Sequence, residues 1–191
     1  MTAESRSTVW YFAYGSNMQR ATFCGRRGIE YRQALAARLD GWRLVIDKPP
    51  LVPVGEGFAN IVPEPGAEVL GVLYEITEED LAHVDLTEGV LIGNYERIGV
   101  PVCTLGGPAL RVVAATLVSD KRSPELLPSD RYMRCLIAGA EEHGLPAEYV
   151  AALRAIPCRP ESDEAKRFRP LLDEALRCAI DGKERGGKTE E

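Results

Sequence analysis

A chain of 191 residues with 45% hydrophobic side chains can bury one sizeable core and is short for two. Its 29 acidic side chains outnumber 23 basic ones, and the resulting charge of −6 argues against nucleic acid, which needs a basic footprint. No stretch reaches the apolar length of a membrane span, residues 1–8 lack an apolar signal core, and five cysteines without a CxxC pair read as reduced thiols of a cytoplasmic protein.

Residues 1–8 are expected to be disordered. The first element is a strand over residues 9–14, broken by Gly15-Ser16-Asn17, with a helical stretch starting almost at once. A glycine-containing turn before a helix leaves backbone N–H groups without internal acceptors, and such groups form a small anion cradle. The same spacing also fits an ordinary strand–turn–helix connection in which Asn17 caps the helix. It fits neither a P-loop, which needs a lysine after the glycines, nor a G-x-S-x-G nucleophile elbow.

Residues 32–46 read as two extended pieces joined at Asp40-Gly41, a hairpin signal. Residues 58–62 and 69–76 flank the turn Pro63-Glu64-Pro65-Gly66, and residues 95–103 and 110–118 form a further apolar pair. A small closed or strongly curled sheet would bury these strands without open edges. Thr77-Glu78-Glu79-Asp80 resembles a capping box and opens a short helix to about residue 86. Ser129-Asp130 caps a helix over 131–143, Gly144 and Pro146 lead into another over 146–156, and helical spacing returns over 164–180. Residues 181–191 are glycine- and charge-rich and expected to fray. The class is α+β: residues 9–158 as one unit, followed by a helical tail over 159–191.

With only His83 and His143, and no cysteines at ligand spacing, metal and Ser-His-Asp readings are poor, and no cofactor is called for. Among the carboxylates, Glu88 in Thr87-Glu88-Gly89-Val90 lies just past a helix end between apolar residues. A glutamate in an apolar setting has its charged form disfavoured, which suits a general acid/base at neutral pH. An exposed loop glutamate beside a capping glycine fits the same residues. Tyr95 opens a strand and Tyr132 stands in the first turn of a helix; each ring can pack while its hydroxyl meets a ligand.

Five segments, in order, resemble the γ-glutamylcyclotransferase (AIG2-like) family. They are Tyr11-Phe12-Ala13-Tyr14-Gly15-Ser16-Asn17; Gly57-Phe58-Ala59-Asn60-Ile61 with Gly66-Ala67-Glu68-Val69-Leu70-Gly71-Val72-Leu73-Tyr74; Glu88-Gly89-Val90 with Tyr95; Pro128-Ser129-Asp130-Arg131-Tyr132; and Gly139-Ala140 with Gly144-Leu145-Pro146-Ala147-Glu148-Tyr149. The resemblance covers residues 9–157 and is weakest over 47–56 and 94–103. It implies a small mixed β-barrel flanked by helices, often dimeric, and a small-molecule γ-glutamyl substrate. It implies that Tyr11, Phe12, Ala13, Tyr14, Gly15, Ser16 and Asn17 bind the glutamyl group, that Glu88 is the catalytic acid/base, and that Tyr132 and Tyr95 line the pocket. The implied activity is cyclisation to 5-oxoproline with release of an amino acid or amine. The alternatives are the same chemistry on γ-glutamylamines or a γ-glutamyl-protected natural product, or a non-catalytic small-molecule-binding protein on this fold.

Overall fold

The order of the strands explains how residues far apart in sequence come to share one rim. The computed structural model describes residues 7–52, 54–106 and 109–186, and the expected disorder of residues 1–6 and fraying of 187–191 lie outside them. Five strands close a mixed barrel in the order β1-β3-β2-β4-β5: β1 (Thr8–Ala13), β2 (Gln33–Lys48), β3 (Phe58–Thr77), β4 (Glu96–Thr104) and β5 (Arg111–Val118). Every pairing is antiparallel except the closure of β1 on β5, where Tyr11 stands beside Ala115. Thr8 belongs to β1, so order begins earlier than the sequence suggested.

Neither Asp40-Gly41 nor Pro63-Glu64-Pro65-Gly66 reverses the chain. β2 and β3 run through both sites as long strands, and the register jumps from Asp40 opposite Glu68 to Trp42 opposite Pro63. Residues 64–67 thus bulge out opposite Gly41, and pairing resumes beyond them. The bulge bends the ribbon without ending it, because pairing of one long strand against another outweighs two local turns. The far half of β3 is fastened to the end of β5 by the buried Asn60, which donates to Ser119 O (2.8 Å) and accepts from Ser119 N (3.0 Å).

Residues 69–74 of β3 are buried throughout, facing the barrel interior on one side and the covering elements on the other. Helix α1 (Glu78–Glu88) is capped by Thr77, whose side chain accepts from Asp80 N, and stops at Gly89 in the left-handed conformation (φ 74°). It therefore runs past residue 86 and ends on Glu88 itself. Helix α2 (Asp130–Glu142), capped by Ser129, and α3 (Ala147–Ala155) fall where their caps placed them. Helix α4 (Asp163–Gly186) continues through residues 181–186, which were expected to fray. No helix among the described residues is long and apolar enough to cross a membrane.

Candidate active site

A cavity of about 230 Å³ opens at the rim where β1, β2, β3 and β5 and the segment leading into β4 contribute residues. Its wall includes Tyr11, Tyr14, Gly15, Ser16 and Asn17 from β1 and the turn after it, Glu88 from the end of α1, Tyr95 before β4 and Tyr132 from α2. Eight of the ten residues singled out from sequence thus meet in one cavity. Phe12 and Ala13 do not line it. Alternation along β1 sends Phe12 into the core, fully buried, and Ala13 is buried as well.

The turn itself is built differently from a capped helix. Residues Ser16–Met18 form one 3-10 turn closed by Met18 N to Gly15 O (3.0 Å) and Gln19 N to Ser16 O (3.1 Å), with a π-helical segment over Ala21–Arg26. Asn17 caps nothing: its Nδ2 donates to Tyr11 Oη (3.1 Å) and to Glu88 Oε1 (2.9 Å). Gly15 has an ordinary negative φ of −112°, so its smallness serves packing rather than the turn. A Cβ there would lie 3.3 Å from Ala59 Cβ and 3.4 Å from Tyr132 Oη. The N–H groups opening the 3-10 turn have no earlier helical carbonyl to meet, which keeps the cradle reading available.

Glu88 does not occupy the apolar setting its sequence neighbours suggested. Its side chain is 16% exposed, and Arg27 Nη2 pairs with Oε1 at 2.7 Å, the same oxygen that Asn17 bonds. Among the described residues no hydrogen bond or ion pair engages Oε2. The helix that carries Glu88 is fixed at its end by Asn94, which donates from Nδ2 to Glu88 O (2.8 Å) and from its backbone N to Gly89 O (2.9 Å).

Burial pushes the hydroxyls of Tyr11, Tyr14, Tyr95 and Tyr132 well above the usual phenol range, and the charge of Glu88 adds to the effect. They are neutral hydroxyls at physiological pH. Tyr132 Oη accepts from Ala59 N (3.0 Å), which leaves its own hydrogen to donate, whereas Tyr14 Oη is committed to Leu117 O. A carboxylate with one open oxygen, facing a set of neutral donors, can move a proton and stabilise a developing oxyanion.

Sequence reasoning missed Arg27, Lys48 and Asn94. Nothing local marks Arg27 as the partner of Glu88, and Lys48 and Asn94 sit in the two stretches least like the family. Among the described residues no group of three or more histidine, cysteine or carboxylate side chains is gathered as for a metal ion.

This chain is 32% identical over 165 residues to a gamma-glutamylcyclotransferase of Bos taurus, with 82% of each chain covered. The chain belongs to the γ-glutamylcyclotransferase family. The human gamma-glutamylcyclotransferase is 29% identical over 170 residues, again with 82% of each covered. The AIG2-like family model matches residues 68–153, which contain Glu88, Tyr95 and Tyr132 but not the turn, Arg27 or Lys48. A solved structure of a gamma-glutamyl cyclotransferase superposes with a TM-score of 0.71 at 27% identity, covering 90% of this chain and 99% of that one. The closed barrel with its flanking helices is thus the family's fold.

Proposed function

We propose that this chain cyclises γ-glutamyl compounds to 5-oxoproline by intramolecular aminolysis, with Glu88 as the proton carrier. The observation that carries the reading is the 2.9 Å hydrogen bond from Asn17 to Glu88, which joins the turn to the carboxylate within one cavity. The turn at Gly15, Ser16 and Asn17 holds the substrate's α-carboxylate on main-chain N–H groups and so aims the α-amine at the γ-carbonyl. Nucleophile and electrophile belong to one molecule, so holding the curled conformer already removes on the order of several kcal/mol from the barrier.

Glu88 Oε2 takes a proton from the α-amine as its nitrogen bonds to the γ-carbon. The tetrahedral oxyanion accepts a hydrogen bond from Tyr132 or from a backbone N–H. Collapse breaks the bond to the leaving nitrogen, to which Glu88 returns the proton. No water is consumed. One carboxyl serving both steps contributes roughly 10²–10⁴-fold.

The test is to offer γ-glutamyl dipeptides, γ-glutamylamines and glutathione and to assay 5-oxoproline. Release from at least one class is expected. A folded protein that binds these compounds and releases none would be a binding protein on this fold.

A further inference from the structure

Lys48, at the end of β2, is 2% exposed, yet its ammonium faces the same cavity as Glu88. Its Nζ donates to Pro49 O (2.7 Å) and to Asn94 Oδ1 (2.6 Å), and lies 4.5 Å from the centre of the Tyr95 ring. All three are neutral. Among the described residues no carboxylate pairs with it. The other cations of the wall do have partners: Arg27 has Glu88, Arg26 has Asp173 at 2.6 Å, and Arg131 has Glu161 at 3.8 Å. A buried charge without a paired carboxylate is expensive to keep; the more distant charge of Glu88 only partly offsets the cost, and among the described residues only two hydrogen bonds engage its three N–H groups. Burial lowers its proton affinity to a pKa of about 8, so the ammonium still prevails at neutral pH.

The hydrogen bonds also order the cavity from end to end. Asn17, in the turn, holds the Glu88 side chain; the Glu88 carbonyl accepts from Asn94; and Asn94 accepts from Lys48. On the opposite wall Tyr132 meets Ala59 N, Tyr95 Oη donates to Ala59 O at 3.4 Å, and the Tyr95 ring lies under Lys48. The first path runs from the turn through Glu88 to Lys48, and the second runs to Lys48 from Tyr132, whose Oη would lie 3.4 Å from a Cβ on Gly15. A glutamyl group gripped at the turn, with its γ-carbonyl at Glu88, therefore projects its leaving part toward Lys48.

We propose that Lys48 is a specificity-determining residue that binds an anionic group, a carboxylate, on the leaving part of the substrate. It thereby selects γ-glutamyl compounds with an acidic leaving part over those releasing a neutral amine or an amine with a second positive charge. The inference rests on the cyclisation reading above and assigns the far end of that site.

The experiment compares γ-glutamylalanine with γ-glutamylethylamine, which lacks only the carboxylate, in the wild type and in Lys48→Met and Lys48→Arg. Wild type is expected to favour the dipeptide in kcat/KM. Lys48→Met lowers that preference by about 10–100-fold, chiefly through KM, as expected for losing one hydrogen bond to a charged group. Lys48→Arg restores part of it. Equal efficiency of the wild type on both compounds would overturn the inference while leaving cyclisation intact. So would an equal loss on both in Lys48→Met, which marks Lys48 as a support for Asn94 and Glu88. No 5-oxoproline from either compound would overturn the cyclisation reading itself, and the role of Lys48 with it.

Discussion

Glu88, which lines the cavity, has one carboxylate oxygen committed to Asn17 and Arg27 and the other unpaired among the described residues, and this asymmetry makes a single substitution informative. In Glu88→Gln an amide oxygen still accepts from Asn17 and Arg27, so the unfolding midpoint in urea and the affinity for a γ-glutamyl compound stay near wild type. The amide does not carry the amine's proton, so kcat falls by about 10²–10⁴-fold. Near-normal turnover would remove Glu88 from the chemistry. Ser16→Ala serves as the contrast. If the turn works through its main chain, the loss is much smaller than that of Glu88→Gln; an equal loss would make the Ser16 hydroxyl a reacting group. Glu88 stands out in the sequence as a candidate because a glutamate beside Gly89 at a helix end falls within an ordered set of family-like segments. Its environment was not legible. The charge beside it comes from Arg27, 61 positions away in the chain, and no local pattern encodes a contact across that distance.

At the scale of elements, the site depends on how closely α2 approaches the turn. Gly139 of α2 lies so near that an added Cβ would stand 2.5 Å from Gln19 N and 2.6 Å from Met18 C. Both neighbours are backbone and cannot swing aside. Gly139→Ala must therefore shift either α2, which carries Tyr132, or the turn. The expected result is a loss of stability of about 1–3 kcal/mol, read from urea unfolding, together with a higher KM. A variant with unchanged unfolding and kinetics would show that the contact is not what sets the turn. Element types were largely readable: the caps Thr77 and Ser129 and the β4–β5 pair follow local chemistry. The two misread turns share one cause. Gly41 and Pro63-Glu64-Pro65-Gly66 are turn-forming by composition, but they face each other across a ribbon, where they form a bulge instead of two hairpins.

The whole molecule braces the site from behind through groups that must stay neutral. His83, on the buried face of α1, has Nε2 2.9 Å from Arg27 O, and His143, at the end of α2, has Nε2 3.1 Å from Tyr74 Oη, which itself donates to Met18 O in the turn. Helix α4 adds Asp173 against Arg26 and Lys183 against Asp80, the latter beside His83. Burial lowers the proton affinity of both imidazoles below the usual histidine value of 6.5, and for His83 the charge of Lys183 adds to the effect. The hydrogen bond to Arg27 O and the charge of Asp80 oppose the shift at His83, and Glu142 and the Met18 carbonyl oppose it at His143, without reversing either. The unfolded chain therefore binds protons first as the pH falls. Stability is complete above the unfolded value of about 6.5 and is lost as the pH drops through it toward the folded values. Urea midpoints measured between pH 7 and pH 5 should decline. The decline should flatten when His83 and His143 are both replaced by glutamine, which cannot titrate. An equally steep decline in the double variant would mean that other groups carry the acid sensitivity. Because the two imidazoles are buried behind Arg27 and the Met18 end of the turn, solvating a newly charged ring disturbs the packing behind the cavity, and kcat/KM should fall over the same interval as the unfolding midpoint.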